Sequence, residues 1–252
     1  MSEIIYDEED HRLGVHRTAF VASGVRIGRG TVVGPNSVIL GPCVIGENCW
    51  IGPNVTIGTT AQDLDNMIVR RIPNYYFDEN LDDNGFLEKY LWDSPQGKGV
   101  VIGNNTIIRE NSAIQQGTIK ETYIGNNVFL MHKTHIGHDV FVGDSVSMAP
   151  STNIAGHCSI FELANLGMAT VVHQRTKIGA GCMIGMNSTV TKDTNPFQLW
   201  YGSPARNHGL NTRLLSKMLF TDQDIKDLQY FYKKNKKMPF FVVEYIEQMK
   251  DS

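Results

Sequence analysis

Residues 15–62 read VHRTAF-VASGVR-IGRGTV-VGPNSV-ILGPCV-IGENCW-IGPNVT-IGTTAQ, eight consecutive hexads that each begin with Val or Ile. Glycine often follows the lead residue, and a residue that is usually small stands four places after it. A short fixed period that is not the period of a helix indicates a solenoid, so the pattern predicts a parallel β-helix with inward-pointing lead residues. The pattern resumes at Ile102 for three hexads and at Ile124 for twelve, up to about Asn195.

The cysteines agree with a packed column in a reducing environment. All of them stand at the small position of their hexads: Cys43, Cys49, Cys158 and Cys182. This placement predicts a packing role rather than disulfide or metal bonds, and it favours the cytoplasm.

Composition excludes several classes of protein. A net charge of −3 over 252 residues gives no reason to expect a nucleic-acid partner. The first 16 residues are acidic and lack the apolar stretch of a signal peptide. No run approaches the roughly 18 apolar residues of a membrane-spanning helix. We therefore expect a cytoplasmic protein without an integral membrane segment.

Departures from the repeat define the predicted domains. Residues 63–101 interrupt the hexads with an acidic stretch rich in aromatic residues, which we interpret as a loop inserted at one corner, and a slip near Ile119–Tyr123 adds four residues. After the last hexad, Thr221–Asp224 resembles a capping box that begins a helix, and Pro239 begins a second. The expected division is a β-helix domain over residues 1–200, including the loop 63–101, and a C-terminal α-helical domain over residues 201–252.

The richest chemistry lies in residues 131–139, MHKTHIGHD, and in the later pair His173–Gln174. Clustered imidazoles beside a carboxylate and glycines are typical of acid–base catalysis next to an oxyanion site. Solvated surface histidines and a zinc site are the alternatives. Zinc requires ligands that converge at about 2 Å, whereas histidines spaced by three on a β-coil point in different directions. We therefore expect no metal and no cofactor.

Five stretches carry a resemblance to a known family: Ala61–Leu64, Ile108–Glu110, Thr134–Asp139, Leu163–Gln174 and Gly209–Asn211. They resemble the UDP-N-acetylglucosamine O-acyltransferases, which catalyse the first step of lipid A synthesis. The resemblance implies a left-handed parallel β-helix of triangular 18-residue coils, in a homotrimer with active sites between neighbours. It also implies transfer of a 3-hydroxyacyl group from acyl carrier protein to a hydroxyl of UDP-N-acetylglucosamine or a related nucleotide sugar.

The same resemblance implies roles for individual residues. With an 18-residue coil, His138, Gly156 and Gln174 stack in one column. The family's general base matches His138, the carboxylate that orients it matches Asp139, and the amide that stabilises the oxyanion matches Gly156. Residues that match substrate contacts are Asp63, His135, His157, His173, Gln174, Asn211 and, where the family has arginine, Lys217.

Several acceptor-binding positions depart from the family's pattern, which leaves the acceptor sugar open. A lysine of the family becomes Asp65, a histidine becomes Gln115, a glutamate becomes Arg213, and one arginine of a pair becomes Met218. Residues 202–206, GSPAR, resemble the exit motif of coenzyme A-dependent hexapeptide acetyltransferases. Acetyl transfer from coenzyme A to an amino sugar or nucleotide sugar is therefore the alternative function.

Two further features concern the acyl donor. Met186 falls where glycine in the family leaves a groove open for longer acyl chains, and it lies one coil after Met168. A flexible thioether is a suitable floor for such a groove, so we expect a medium-length acyl chain. The lysines of residues 233–237 are suited to docking an acidic acyl carrier protein, or they are a solvated helix C-terminus.

Overall fold

The computed structural model describes residues 14–22, 24–62, 97–218 and 220–234. Within these residues the chain winds into a column of short parallel strands, followed by a β-hairpin and two helices. In chain order the elements are β1 (Phe20–Val21), β2 (Val25–Ile27), β3 (Val32–Val33), β4 (Val38–Ile39), β5 (Cys43–Ile45), β6 (Trp50–Ile51), β7 (Thr56–Thr59), β8 (Val100–Ile102), β9 (Ile107–Ile108), β10 (Ala113–Gln115), β11 (Thr122–Ile124), β12 (Phe129–Leu130), β13 (His135–Ile136), β14 (Phe141–Val142), β15 (Ser147–Met148), β16 (Asn153–Ile154), β17 (Ser159–Ile160), β18 (Asn165–Leu166), β19 (Val171–Val172), β20 (Lys177–Ile178), β21 (Met183–Ile184), β22 (Thr189–Val190), β23 (Gln198–Gly202), β24 (Ala205–Leu210), α1 (Thr212–Lys217) and α2 (Asp222–Lys234).

The strands form three sheets, which are the three faces of the column. Face 1 takes every third strand from β1 to β22, and face 2 takes every third strand from β2 to β20. Face 3 takes every third strand from β3 to β21 and ends with β23 and β24. The chain visits the faces in turn, so three hexads complete one coil. The predicted parallel β-helix with a small helical C-terminal part is confirmed, with about eight turns.

Neighbouring coils are in register at a spacing of 18 residues, as in the pair His135 and Asn153. The spacing rises to 22 between Ala113 and His135, because four extra residues follow β10. It rises to 57 between Cys43 and Val100, because the insertion lies between them. Since Val100 takes the place of Cys43 one coil later, the repeat resumes inside the range assigned to the loop. Residues 63–96 of that loop lie outside the described residues.

Lead side chains from successive coils form one continuous apolar core. Ile39, Ile114 and Leu130, for example, have no exposed surface, and each such burial stabilises the fold by about 1.5–3 kcal/mol. All four cysteines are free and buried. Burial raises the pKa of the Cys43 thiol to about 12, which agrees with the predicted packing role.

The corners between faces use residues with a positive φ angle. Asn36, Asn54 and Asn127 have φ values of 58°, 54° and 54°, in the left-handed region that Asn adopts more readily than most residues. The equivalent corner positions hold Asp139 at 58° and His157 at 61°. Two residues of the predicted site therefore occupy turn positions that the repeat itself creates.

The chain leaves the column through a hairpin that the sequence pattern did not predict. Strand β23 pairs in parallel with β21 on face 3, which places Trp200 opposite Ile184, and β24 returns antiparallel. The hexad pattern ends near Asn195, and β23 then adds one more parallel strand to face 3. Ile184 and Trp200 are 16 residues apart instead of the 18 of a full coil. Counting forward from Ile184 in steps of six therefore does not identify Trp200 as an inward-pointing position.

The predicted capping box is confirmed at the start of α2. The Thr221 N–H donates to Asp224 Oδ2 at 2.8 Å, and the Asp224 N–H donates to Thr221 Oγ1 at 3.2 Å. Leu228 of this helix packs with Phe197 and Leu215 in a second apolar cluster. The short helix α1 was not predicted, and the helix expected from Pro239 lies outside the described residues. The domain boundary at residue 200 stays a prediction and lies within β23.

None of the helices in the described part of the chain is long and apolar enough to cross a membrane.

Candidate active site

His138 and Asp139 lie in the corner between β13 on face 1 and β14 on face 2. One coil later, the same corner holds Gly156 and His157. Backbone hydrogen bonds join these levels: the His157 N–H donates to the His138 carbonyl at 2.9 Å, and the Arg175 N–H donates to the Gly156 carbonyl at 3.1 Å. The column therefore stacks the predicted base, oxyanion donor and neighbouring imidazole at one corner.

The buried Asp139 carboxylate is the electrostatic centre of this corner. Its Oδ2 lies 2.7 Å from Nδ1 of His138. It accepts hydrogen bonds from the Thr118 hydroxyl at 2.7 Å and from the N–H groups of Thr118, Ile119 and Lys120 at 3.1, 2.8 and 2.9 Å. Burial by itself raises the pKa of this carboxyl, but the hydrogen bonds from Lys120, Thr118, His138 and Ile119 outweigh burial and hold the pKa well below its ordinary value.

The donors to Asp139 come from the four-residue slip in the repeat. This loop turns so tightly that a Cβ atom at residue 117 would collide with the carbonyl oxygen of Lys120. Thr122, at its end, accepts a hydrogen bond from the Asp139 N–H through Oγ1 at 2.9 Å. The sequence pattern located the slip but did not show that its N–H groups face a carboxylate. The 22-residue spacing places the loop one coil before Asp139, which is the signal in the sequence for their proximity but not for the direction of the N–H groups.

The His138 side chain is 11% exposed and its ring lies directly over Gly156. A Cβ atom at residue 156 would lie 2.5 Å from Nε2 and 2.7 Å from Cε1 of the ring, so this ring position requires glycine there. His157 meets the ring edge-on, with centroids 4.8 Å apart, and its Nδ1 lies 3.8 Å from Asp139 Oδ2. His138 is thus held between a carboxylate, a glycine and a second imidazole.

The sequence and the fold are similar to those of known acyltransferases. Residues 24–59 match the family model of the bacterial transferase hexapeptide (six repeats), and residues 175–192 match that of the hexapeptide repeat of succinyl-transferase. Over 135 residues the chain is 38% identical to the acyl-[acyl-carrier-protein]–UDP-N-acetylglucosamine O-acyltransferase of Thiobacillus denitrificans. Over 137 residues it is 36% identical to the enzyme of that name from Burkholderia orbicola. The chain is a homologue of these O-acyltransferases.

These alignments cover 52% and 53% of the chain and 52% of each relative, so the chain spans about half the length of the curated relatives it matches. Among solved structures, UDP-N-acetylglucosamine acyltransferase from Campylobacter jejuni has a TM-score of 0.71 at 27% identity, over 87% of this chain and 76% of that one. LpxA from Acinetobacter baumannii has a TM-score of 0.69 at 28% identity, over 94% and 89%. Such neighbours are left-handed β-helices, the hand predicted for this column.

Three further predicted residues of this acyltransferase homologue lie near the same corner. His173 and Gln174 are exposed there, two coils after His138. His135 is half-buried on β13, and burial lowers its pKa.

The predicted residue Asp63 lies outside the described residues. The chain leaves face 1 just before it, at Gln62, whose N–H donates to Gln115 Oε1 at 3.4 Å. Since β7 precedes this point and β8 follows it, the insertion enters at the corner between faces 1 and 2.

Met186, Asn211 and Lys217 lie elsewhere on the same chain. Met186 is 74% exposed at the corner between faces 3 and 1, next to Met168. Asn211 begins α1 by accepting from the Leu214 N–H and donates to the Gly181 carbonyl at 2.9 Å. Asn211 and Lys217 line a surface cavity of about 460 Å³ against face 3. A single chain therefore does not bring these three residues to His138.

A metal ion is a second interpretation of the corner, because ligand atoms of His138, Asp139 and His157 lie within 4.8 Å of one another. Both oxygens of Asp139, however, already accept hydrogen bonds, and Oδ2 is in direct contact with Nδ1 of His138. A metal would have to displace these donors. The arrangement therefore fits an oriented imidazole better than a metal centre.

Replacing Asp139 with Asn should change how stability depends on pH. Its folded-state pKa is depressed, so the ionised group stabilises the fold above about pH 4, and this contribution is lost as the pH falls. The variant should lose about 1–3 kcal/mol of unfolding free energy at pH 7. Its unfolding free energy should also change less than that of the wild type between pH 7 and pH 3. Urea unfolding followed by circular dichroism measures both effects.

The matched control is Asp144→Asn, which removes a carboxylate that accepts from the Asn126 N–H at 2.7 Å in another corner. It should retain the wild-type loss of stability on acidification. An unchanged pH dependence in Asp139→Asn would contradict the assigned role of this carboxylate.

Proposed function

We propose that this protein transfers an acyl group from the thioester of acyl carrier protein to a sugar hydroxyl of UDP-N-acetylglucosamine or a related nucleotide sugar. Its curated relatives are named for this reaction, the first step of lipid A synthesis. The observation that carries the proposal is the His138 imidazole, fixed between the Asp139 carboxylate and Gly156. An oriented imidazole beside a backbone donor suits acyl transfer.

The proposed reaction begins with the tautomer of His138. The ionised Asp139 accepts the proton on Nδ1, which leaves the lone pair on Nε2. Nε2 removes the proton of the acceptor hydroxyl as that oxygen attacks the thioester carbonyl. The Gly156 N–H, which donates to no backbone acceptor among the described residues, stabilises the tetrahedral oxyanion. Collapse breaks the carbon–sulfur bond, and the leaving thiolate takes the proton from His138.

The residues around this centre are proposed to hold the substrates. We place the acceptor sugar against His135, His157, His173 and Gln174, and near Asp63. No metal or cofactor takes part in the proposed reaction. The neutral amide of Gln115 and the cation of Arg213, where the family has histidine and glutamate, change the hydrogen bonds offered to the acceptor and favour a related nucleotide sugar as a test substrate.

The donor is proposed to dock on the C-terminal helices. Helix α2 ends with Lys233 and Lys234, and these side chains and Lys226 are exposed. An acidic acyl carrier protein is attracted to such a surface, which raises the rate of encounter. Coenzyme A thioesters are the alternative donors, and a comparison of both donor classes with one acceptor panel separates the two functions.

We propose that the active unit is a cytoplasmic homotrimer. His138 lies at the corner between faces 1 and 2, whereas Asn211 and Lys217 lie against face 3, so two copies are needed to bring them to one substrate. The column also exposes the apolar side chains of Trp50 and Ile107. Contact between copies would remove this apolar surface from water.

Replacement of His138 by Ala should lower kcat/KM by about 10²- to 10⁴-fold, because a general base contributes about that much. The measurement is acyl transfer from 3-hydroxyacyl carrier protein and acyl coenzyme A to a panel of UDP-sugars. His132→Ala, at the corner between faces 3 and 1, is the control and should retain wild-type turnover. Near wild-type turnover in His138→Ala, together with loss in His157→Ala, would assign the base to His157 instead.

Co-expression of two defective variants should restore activity if each site uses two copies. His138→Ala removes the base, and Lys217→Glu reverses a charge on α1 without touching the base of its own copy. Random assembly would leave about a quarter of all sites intact, because about three quarters of the trimers are mixed and each mixed trimer has one of its three neighbour pairs with both residues intact. Purified mixtures of separately folded variants are the control. Mixed trimers, confirmed by light scattering, with no more activity than the separate variants would contradict a shared site.

Replacing Met186 with Gly should shift the preferred donor to longer acyl chains. Each methylene that gains apolar burial is worth about 0.8 kcal/mol, so a few methylenes change the preference by orders of magnitude. The measurement is kcat/KM for carrier-protein thioesters of increasing length. Met168→Gly, one coil earlier, is the matched control and should change the profile less. An unchanged profile in Met186→Gly would remove this residue from the acyl groove.

A further inference from the structure

Thr118 contacts the Asp139 carboxylate through both its backbone and its side chain. Its N–H lies 3.1 Å from each carboxylate oxygen, and its Oγ1 donates to Oδ2 at 2.7 Å. Oδ2 is the same oxygen that lies 2.7 Å from Nδ1 of His138. The hydroxyl and the imidazole therefore donate to a single oxygen atom, while the N–H groups of Ile119 and Lys120 donate to Oδ1.

We propose that Thr118 is a positioning residue for the base: its hydroxyl fixes the orientation of Asp139 and limits how strongly the carboxylate holds the proton of His138. The proposal rests on the proposed acyl transfer for its kinetic readout only. Thr118 acts through Asp139, and no contact with substrate is assigned to it.

The physical reason is the sharing of negative charge on Oδ2. A hydroxyl that donates to a carboxylate makes a charge-assisted hydrogen bond and takes up part of the charge. Without the hydroxyl, more of that charge acts on the Nδ1–H group of His138, and a nearby negative charge favours the protonated imidazole. The base then stays protonated to higher pH, so a larger fraction of the enzyme is inactive near neutrality.

The backbone of the loop keeps its hold on Asp139 when the hydroxyl is removed. The N–H groups of Thr118, Ile119 and Lys120 do not depend on the side chain of residue 118. The loop is also tied to the end of the insertion, since the Gly117 N–H donates to the Gly99 carbonyl at 3.1 Å. Removal of the hydroxyl should therefore leave the loop folded, so its effect reports on charge sharing and on the orientation of Asp139.

Other titratable groups at this corner are the same in the wild type and in variants of Thr118. His157 is the one whose ring packs on His138 and approaches Asp139. A difference between variants is therefore assigned to the hydroxyl. Other charged or titratable side chains near this corner include those of His135, Lys120, Glu121, His173, Arg175 and Lys177.

The test compares Thr118→Val, which removes the hydroxyl at similar volume, with Thr118→Ser, which keeps it. In Thr118→Val the acid limb of the kcat/KM profile should move up by about half a pH unit. Turnover at neutral pH should fall by up to about threefold, because half a pH unit corresponds to a factor of about three in the deprotonated base. KM for the acceptor should be unchanged, as expected when only the chemical step is affected. Thr118→Ser should resemble the wild type in both measurements.

A matched control separates this effect from loss of stability. Thr106→Val removes a buried hydroxyl that donates to the Gly125 carbonyl at 2.8 Å, at the corner between faces 2 and 3. It should lower the melting temperature without moving the acid limb. A shift of the acid limb in Thr106→Val as large as that in Thr118→Val would overturn the proposal.

A second readout does not depend on activity. In the full-length protein labelled with ¹⁵N-histidine, the His138 resonance is identified by its loss in His138→Asn, and its titration midpoint should be higher in Thr118→Val than in wild type. If no acceptor is acylated, the proposed function fails, but this titration still decides the role of Thr118. Equal midpoints, or a Thr118→Ser titration like that of Thr118→Val, would overturn it. Failure of both Thr118→Val and Thr118→Ala to fold, while Thr118→Ser folds, would show a purely structural role.

Discussion

The structure depends on the hydrogen bonds that each coil makes to the next. At most corners a backbone N–H donates to a carbonyl one coil away, as from His157 to His138 and from Arg175 to Gly156, and at Asp139 the acceptor is Oγ1 of Thr122. These bonds fix the level and direction of each side chain regardless of what that side chain is. A residue's place in the repeat therefore decides which corner it occupies, and the candidate site forms where reactive side chains share a corner.

This regularity explains how much the sequence alone predicts. The aliphatic lead residues, of which Ile114 and Leu130 are fully buried, predicted the column, because nothing else in the hexad is reliably apolar. The same counting placed Gly156 one coil from His138. The structure adds that the ring lies so close to residue 156 that only glycine fits there. The capping box at Thr221 was predictable because it depends on residues three positions apart.

Features that depend on contacts distant in sequence were not predictable in this way. The four-residue slip was visible, but a period of six does not show that the N–H groups of Ile119 and Lys120 turn toward Asp139. The hairpin was missed because the step from Ile184 to Trp200 is two residues short of a coil. The positions of Met186 and Asn211 away from His138 follow from the face on which each lies, and their proposed roles therefore depend on how copies assemble.

Both interruptions of the repeat enter at the corner between faces 1 and 2. The insertion follows β7, and the four-residue slip follows β10. Both interruptions leave the strands beyond them on their faces. Removal of a single hexad, in contrast, would rotate everything beyond it by a third of a turn and carry His138 onto a different edge. The column can therefore change length only in whole coils, while the edge that bears His138 can gain or lose residues one at a time.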